Sequence, residues 1–145
     1  MKNIDKVGIK GIFELTVYKN GQPVEKYKDE NMIMNIAKEA LAKLIGGDGS
    51  GKTITKIGFG TNGSGPTPAD TTLTNAYIKN ITSKTYPQVN QVKFTWSLAT
   101  SEANGKSIRE FGLICSDNTL FARKTRGVIE KSNDISLEGS WTIIF

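Results

Sequence analysis

The sequence predicts a mainly β protein of the α+β class: an antiparallel β-sandwich with one substantial helix packed on or beside it. Three observations carry that expectation. Several segments alternate apolar and polar residues with period 2, most clearly Val92, Phe94, Trp96 and Leu98 against Lys93, Thr95 and Ser97. Turn-forming residues recur every ten residues or so, and only one long segment carries helical spacing. Strands that follow one another through short turns pair antiparallel, whereas a parallel sheet needs a helix between each pair. The 145 residues suit a single domain, divided into a β-hairpin over 8–28, a helix over 31–45 and a sandwich over 54–145, with about seven or eight strands in all.

The first strand is predicted over Ile9 to Tyr18, with Phe13, Leu15 and Val17 on one face and Glu14, Thr16 and Tyr18 on the other. Asn20-Gly21 turns the chain into Val24 to Tyr27, its antiparallel partner. The helix is expected where Ile33, Ile36, Ala37, Ala40, Leu41 and Leu44 recur at three-and-four spacing, started by Asp29 or Asn31 and ended by Gly46-Gly47. A strand follows over Ile54 to Phe59, then a loop over 60–72 rich in Gly, Pro and Thr, in which Asp70 or Thr71 caps a short helical turn through Leu73 and Tyr77. Beyond the strand at 92–98 come a hairpin, Val128-Ile129, a polar turn at Ser132-Asn133-Asp134, and a last strand with Trp141, Ile143 and Phe145 on one side.

Composition narrows the chemistry. Histidine is absent, so Ser-His-Asp and Cys-His nucleophilic centres and histidine-bearing zinc sites are excluded. The single cysteine, Cys115, forms no internal disulfide and stands in an apolar strand, where it reads as a small buried hydrophobe. Met1 to Lys6 lack the apolar core of a secretory signal, and no apolar run reaches the length of a membrane span. The net charge of +5 raises the question of a nucleic-acid partner. Clustering is the test, and of the 19 basic residues only Arg123-Lys124-Thr125-Arg126 forms a compact group.

Gly46 to Thr53 satisfies the letters of a phosphate-binding P-loop, GGDGSGKT. That motif works when a strand delivers the glycine loop and a helix starts at its end, so that backbone N–H groups converge on phosphate. Here a helix enters and a β-branched strand leaves. The expected structure is therefore a helix C-cap running into a glycine linker. Glu110 alternates with Arg109 within a strand, which suits cross-strand charge pairing better than a catalytic carboxylate pair with Glu102. Asp48, Asp117 and Asp134 are turn residues, and no cofactor or metal site is expected.

The segment Ser107 to Arg123 reads as two apolar strands around a polar turn, with Asp117-Asn118 at two positions of positive φ. With Glu102-Ala103-Asn104-Gly105 before it, the string EANGKSIREFGLICSDNTLFARK resembles the core of tail-fibre and tail-collar-fibre proteins of contractile-tailed bacteriophages and their prophage relatives. Phe59-Gly60-Thr61-Asn62-Gly63, Asp70 to Asn75 and Ser140 to Phe145 extend the likeness over roughly the last two thirds of the chain.

The resemblance implies a structural, non-enzymatic component of a phage or phage-like tail, located in the virion and assembled in the host cytoplasm. It implies a homo-oligomer, a trimer or hexameric ring, joined to other tail or neck proteins, with no membrane partner. The residues expected at contacts are Asn62, Pro66 and Asp70 in the glycine-rich loop, Arg123, Lys124 and Arg126 in the basic segment, and Trp141 and Phe145 in the last strand. The alternative is a basic nucleic-acid- or nucleotide-binding domain using the 46–53 loop and the 123–126 cluster. A third reading, a sandwich that binds a cell-surface glycan, requires an exposed aromatic ledge built from Tyr18, Tyr27, Tyr77 or Tyr86.

Overall fold

The computed structural model describes residues 8–145, apart from the side chain of Met32; Met1 to Lys6, read above for a signal, lie outside that range. In chain order the elements are β1 (Lys10–Lys19), β2 (Gln22–Ile33), α1 (Asn35–Gly46), β3 (Ile54–Gly60), β4 (Tyr77–Asn80), β5 (Ser83–Thr85), β6 (Gln91–Leu98), β7 (Ser107–Cys115), β8 (Leu120–Glu130) and β9 (Ile135–Ile144). All strand pairs are antiparallel, in the order β4-β3-β7-β8-β2-β1-β9-β6-β5. The antiparallel sandwich with one helix is thus what the chain forms.

The two layers are joined at both corners. Strand β2 pairs with β1 through most of its length, then Met32 and Ile33 pair with Arg123 and Ala122 of β8. At the opposite corner the chain leaves β4 paired with β3 and enters β5 paired with β6. Between them the Ile81 N–H bonds Thr55 O at 2.9 Å and the Thr82 N–H bonds Thr95 O at 2.8 Å. Ladder hydrogen bonding therefore continues around both corners, which limits the open edge available to a stray strand.

The inner faces meet in an aromatic core. Phe13, Trp96 and Trp141 from one layer pack on Phe59 and Phe111 from the other, with Phe13 and Phe111 ring centroids 4.9 Å apart and Phe59 and Trp96 5.5 Å apart. Alternation turns the next residues of β7 to the opposite face, where Ile114 joins Met34, Leu120, Ile36 and Leu73 in a second, smaller cluster. Gly58 and Gly112 are direct cross-strand partners there, and the Leu73 side chain fills the notch left by their two missing Cβ atoms.

Turn chemistry explains the hairpins. Asn20 and Gly21 both take positive φ, 51° and 77°, giving the two-residue turn whose twist matches its strands. In the β7–β8 hairpin only Asn118 does so, at 72°. This corrects the expectation for Asp117: the Cys115 N–H bonds Thr119 O and the Asn118 N–H bonds Cys115 O, a longer loop that needs one left-handed residue.

The helix begins later than its apolar spacing suggests, at Asn35 rather than 31, because β2 runs on to Ile33. Neither Asp29 nor Asn31 caps it. Met34 occupies the cap without a side-chain hydrogen bond, and the Asn35 N–H is satisfied by Pro68 O at 2.8 Å. Its end is as expected, with Gly47 left-handed at φ 84° and the Asp48 N–H closing on Lys43 O. The helical turn expected from Asp70 to Tyr77 does not form: irregular backbone leads directly into β4, whose register on β3 fixes Tyr77 as a strand residue.

Candidate functional site

The loop over 61–76 crosses the outward face of β3, β7 and β8, and it is fastened there by charge. Arg123 is buried beneath it and spends each side-chain nitrogen on a different partner: Nε on Glu110 Oε1 at 2.8 Å, Nη1 on Asp70 Oδ2 at 3.0 Å and Nη2 on Asn62 O at 2.9 Å. Glu110, fully buried, accepts the Asn62 and Thr74 N–H groups on its other oxygen. The Thr67 N–H, its hydroxyl and Arg123 hold the Asp70 carboxyl below the usual range against the opposing effect of burial. Asn62, Asp70 and Arg123 do come together, but Arg123 is a correction: it is an internal clasp and not part of an exposed rim. Strand alternation places it opposite Gly112, under the loop. Pro66 stands half-buried in the same loop.

The rest of the basic segment turns the other way, toward β2. Lys124 Nζ lies 2.7 Å from Asp29 Oδ2, and Arg126 Nη1 lies 2.8 Å from Glu25 Oε2 as an ion pair outside hydrogen-bond geometry. Both cations stand over the Tyr27 ring, at 5.7 and 5.4 Å from its centroid. The compact sequence cluster is therefore split between two sets of carboxylates. Lys52, in the glycine loop, is likewise engaged, with Asp117 Oδ2 at 2.6 Å and Thr119 Oγ1 at 3.3 Å. Strand β3, and not a helix, follows that loop.

The last strand divides its two aromatic anchors. Trp141 is completely buried and donates its indole N–H to Asn31 Oδ1 at 2.6 Å, which corrects its assignment as a contact residue: β9 lies between β1 and β6 and turns Trp141 into the core. Phe145 is 44% exposed. It shares a solvent-open hollow of about 520 Å³ with Val92, Gln91 and Asn90, with Tyr86 at 70% exposure, and with a residue the sequence reading passed over, the fully exposed Val89. The Phe145 N–H bonds Asn90 O at 3.0 Å and Asn90 Nδ2 bonds Phe145 O at 3.1 Å, fixing the two segments side by side. The available signal was an apolar valine inside a turn of Pro, Gln and Asn, where local structure gives it nothing to pack on.

The four tyrosines do not share a ledge. Tyr18 bonds Glu138, Tyr27 lies under the two cations, Tyr77 bonds Glu102, and Tyr86 alone is exposed. Among the described residues no three His, Cys, Asp or Glu side chains gather as a metal site, and no helix is long and apolar enough to cross a membrane. Comparison with known proteins adds no relative: no family model, curated protein or solved structure matches the chain.

Proposed function

We propose that this chain is a structural component of a bacteriophage or phage-like contractile tail, a collar, fibre-attachment or baseplate-type module that acts through contacts between subunits. The likeness of the Glu102 to Lys124 string to tail-fibre proteins suggests the class. The observation that carries the contact reading is the apolar surface of Tyr86, Val89 and Phe145, three large exposed side chains gathered around one hollow, whereas Val24, Ile45, Ile78 and Val128 are exposed elsewhere. Each Å² of their apolar surface withdrawn from water favours a contact by about 25 cal/mol, before the cost of association is subtracted. Lys52, Arg123, Lys124 and Arg126 already face carboxylates of the same chain, which weighs against the nucleic-acid and nucleotide reading.

Light scattering coupled to size exclusion tests this directly. The wild-type chain is expected to run as a defined homo-oligomer, and Val89→Glu combined with Tyr86→Ser to run as a monomer with an unchanged circular dichroism spectrum. A wild-type monomer at every concentration, shifting only when oligonucleotide is added, would move the assignment to the alternative.

A further inference from the structure

A second surface feature points to a ligand rather than to a subunit. Near the turn between β6 and β7, an open hollow of about 430 Å³ is lined by Thr61, Asn75, Asn104, Lys106, Ser107 and Arg109. Two of the chain's arginines, Arg123 and Arg126, face carboxylates, whereas Arg109 has no ion-pair or hydrogen-bond partner among the described residues. It stands where the β7–β8 register breaks between Ile108 and Glu110, the kind of irregularity that re-aims a side chain out of the ladder. Its stem lies against Gly63, where a built Cβ would come within 3.2 Å of Arg109 Cδ. Gly63 in turn follows Asn62, whose backbone both Glu110 and Arg123 hold. One wall of the hollow is thus rigidly placed.

The hydrogen-bonding inventory is specific. Lys106 Nζ donates to Asn75 O and keeps further donors free, with no carboxylate paired to its charge among the described residues. Asn104 Oδ1 is taken by Lys131 Nζ at 2.9 Å, so the group Asn104 has left to offer is its Nδ2 donor. The Thr61 and Ser107 hydroxyls donate to Thr74 O and Glu130 Oε2, leaving their oxygens as acceptors. Among the described residues Glu130 is the one carboxylate bonded to a residue of this lining, against two cations.

We propose that this hollow binds an acidic saccharide, held by charge instead of by the aromatic ledge that the glycan reading of the sequence called for, with the carboxylate or phosphate on Arg109 and Lys106 and the sugar hydroxyls on Asn104, Thr61 and Ser107. A planar guanidinium recognises either oxyanion through paired N–H donors. The lining holds no aromatic ring on which a base would stack, and the 123–126 cations that would extend a phosphate track are already paired, so a sugar acid fits better than a nucleic acid. The site does not depend on the assembly reading: it would exist on a monomer.

The test is an amide-resolved NMR titration of the full chain with glucuronate, glucose 6-phosphate, inorganic phosphate, glucose and oligothymidylate. Glucuronate and glucose 6-phosphate are expected to shift the amides of Ala103 to Arg109, more strongly than inorganic phosphate, with glucose inert and the effect weakened by salt. Losing one charge-assisted contact should weaken binding about tenfold in Arg109→Gln. Lys106→Gln, which leaves the Gly63 contact untouched, should lose a similar factor and guards against a folding artefact. Absence of shifts with either acidic sugar, equal binding of inorganic phosphate and glucose 6-phosphate, unchanged affinity in both variants, or preference for oligothymidylate would each overturn the proposal.

Discussion

Arg123 donates its Nε–H to Glu110 Oε1 at 2.8 Å while the two side chains are 2% and 0% exposed. A buried pair adds little stability relative to two apolar residues, but breaking it leaves one charge stranded in a medium that solvates it poorly. Glu110→Ala should therefore cost about 3–5 kcal/mol in urea unfolding. It should also raise amide exchange at Asn62 and Thr74, whose N–H groups lose their acceptor. The double variant Glu110→Leu with Arg123→Met should cost less than the sum of its single changes. Additive costs would mean that the two side chains do not act as one unit.

Gly139, half-buried in β9 between Leu137 and Trp141, stands where no side chain fits. A Cβ there would lie 2.2 Å from Trp96 Cζ2 and 2.5 Å from the Glu14 carbonyl oxygen, a rigid ring and a backbone atom of the neighbouring strand. Neither yields without moving β1 or β6. Gly139→Ala is expected to destabilise by about 1–3 kcal/mol or more, opposite to the gain usual for replacing glycine in a strand. Gly112→Ala meets only the methyl ends of Leu120 and Leu73, which swing aside, and should be milder. Thermal unfolding of the two variants side by side checks the order.

Local pattern made part of this legible and distance in the chain hid the rest. Phe13, Leu15 and Val17, like Phe94, Trp96 and Leu98, announce their faces because each strand carries its own alternation. Strands β4 and β5 carry no such signal: four residues and three, half of the first and all of the second exposed, are defined by the corner they turn. Glu110 was legible as a cross-strand charge and Arg123 as a basic contact residue, but not that both are buried, because what covers them is a loop from 61–76, distant in sequence. Trp141 and Phe145 share one alternating face, yet only the ladder of β9 between β1 and β6 shows that the core takes the first and not the last.

Glu102 sets an acid limit on the end of the sandwich. Burial raises its pKa, but Lys79 Nζ at 2.7 Å, the Ala99 N–H at 2.8 Å and the Tyr77 hydroxyl at 2.8 Å outweigh that and bring it down to about 2. A carboxylate with a depressed folded value stabilises the native state above its unfolded value of 4.5 and loses that contribution as pH falls toward 2. The loss should come to about 1–2 kcal/mol once solvent screening is allowed for. Urea midpoints measured between those pH values should fall less steeply in Glu102→Gln. An identical slope in both proteins would assign the acid sensitivity elsewhere.

Cys115 behaves in the opposite sense. It is fully buried at the end of β7, and burial first, with the Asp117 charge adding, pushes its thiol up to about 11. Its thiolate is the reactive form, so a disulfide reagent should reach it only when the strand opens, with labelling at the rate of global unfolding rather than of reagent collision. The same shift gives a pH dependence of known sign. Above the ordinary thiol value of 9.0 the unfolded chain loses the thiol proton while the native chain keeps it, so stability is complete below that pH and declines as pH rises toward 11. Cys115→Ala should abolish that part of the alkaline decline, about 2–3 kcal/mol. It should also create a small cavity in a site that now packs a sulfur atom. Rapid labelling of the folded chain at neutral pH would contradict both expectations.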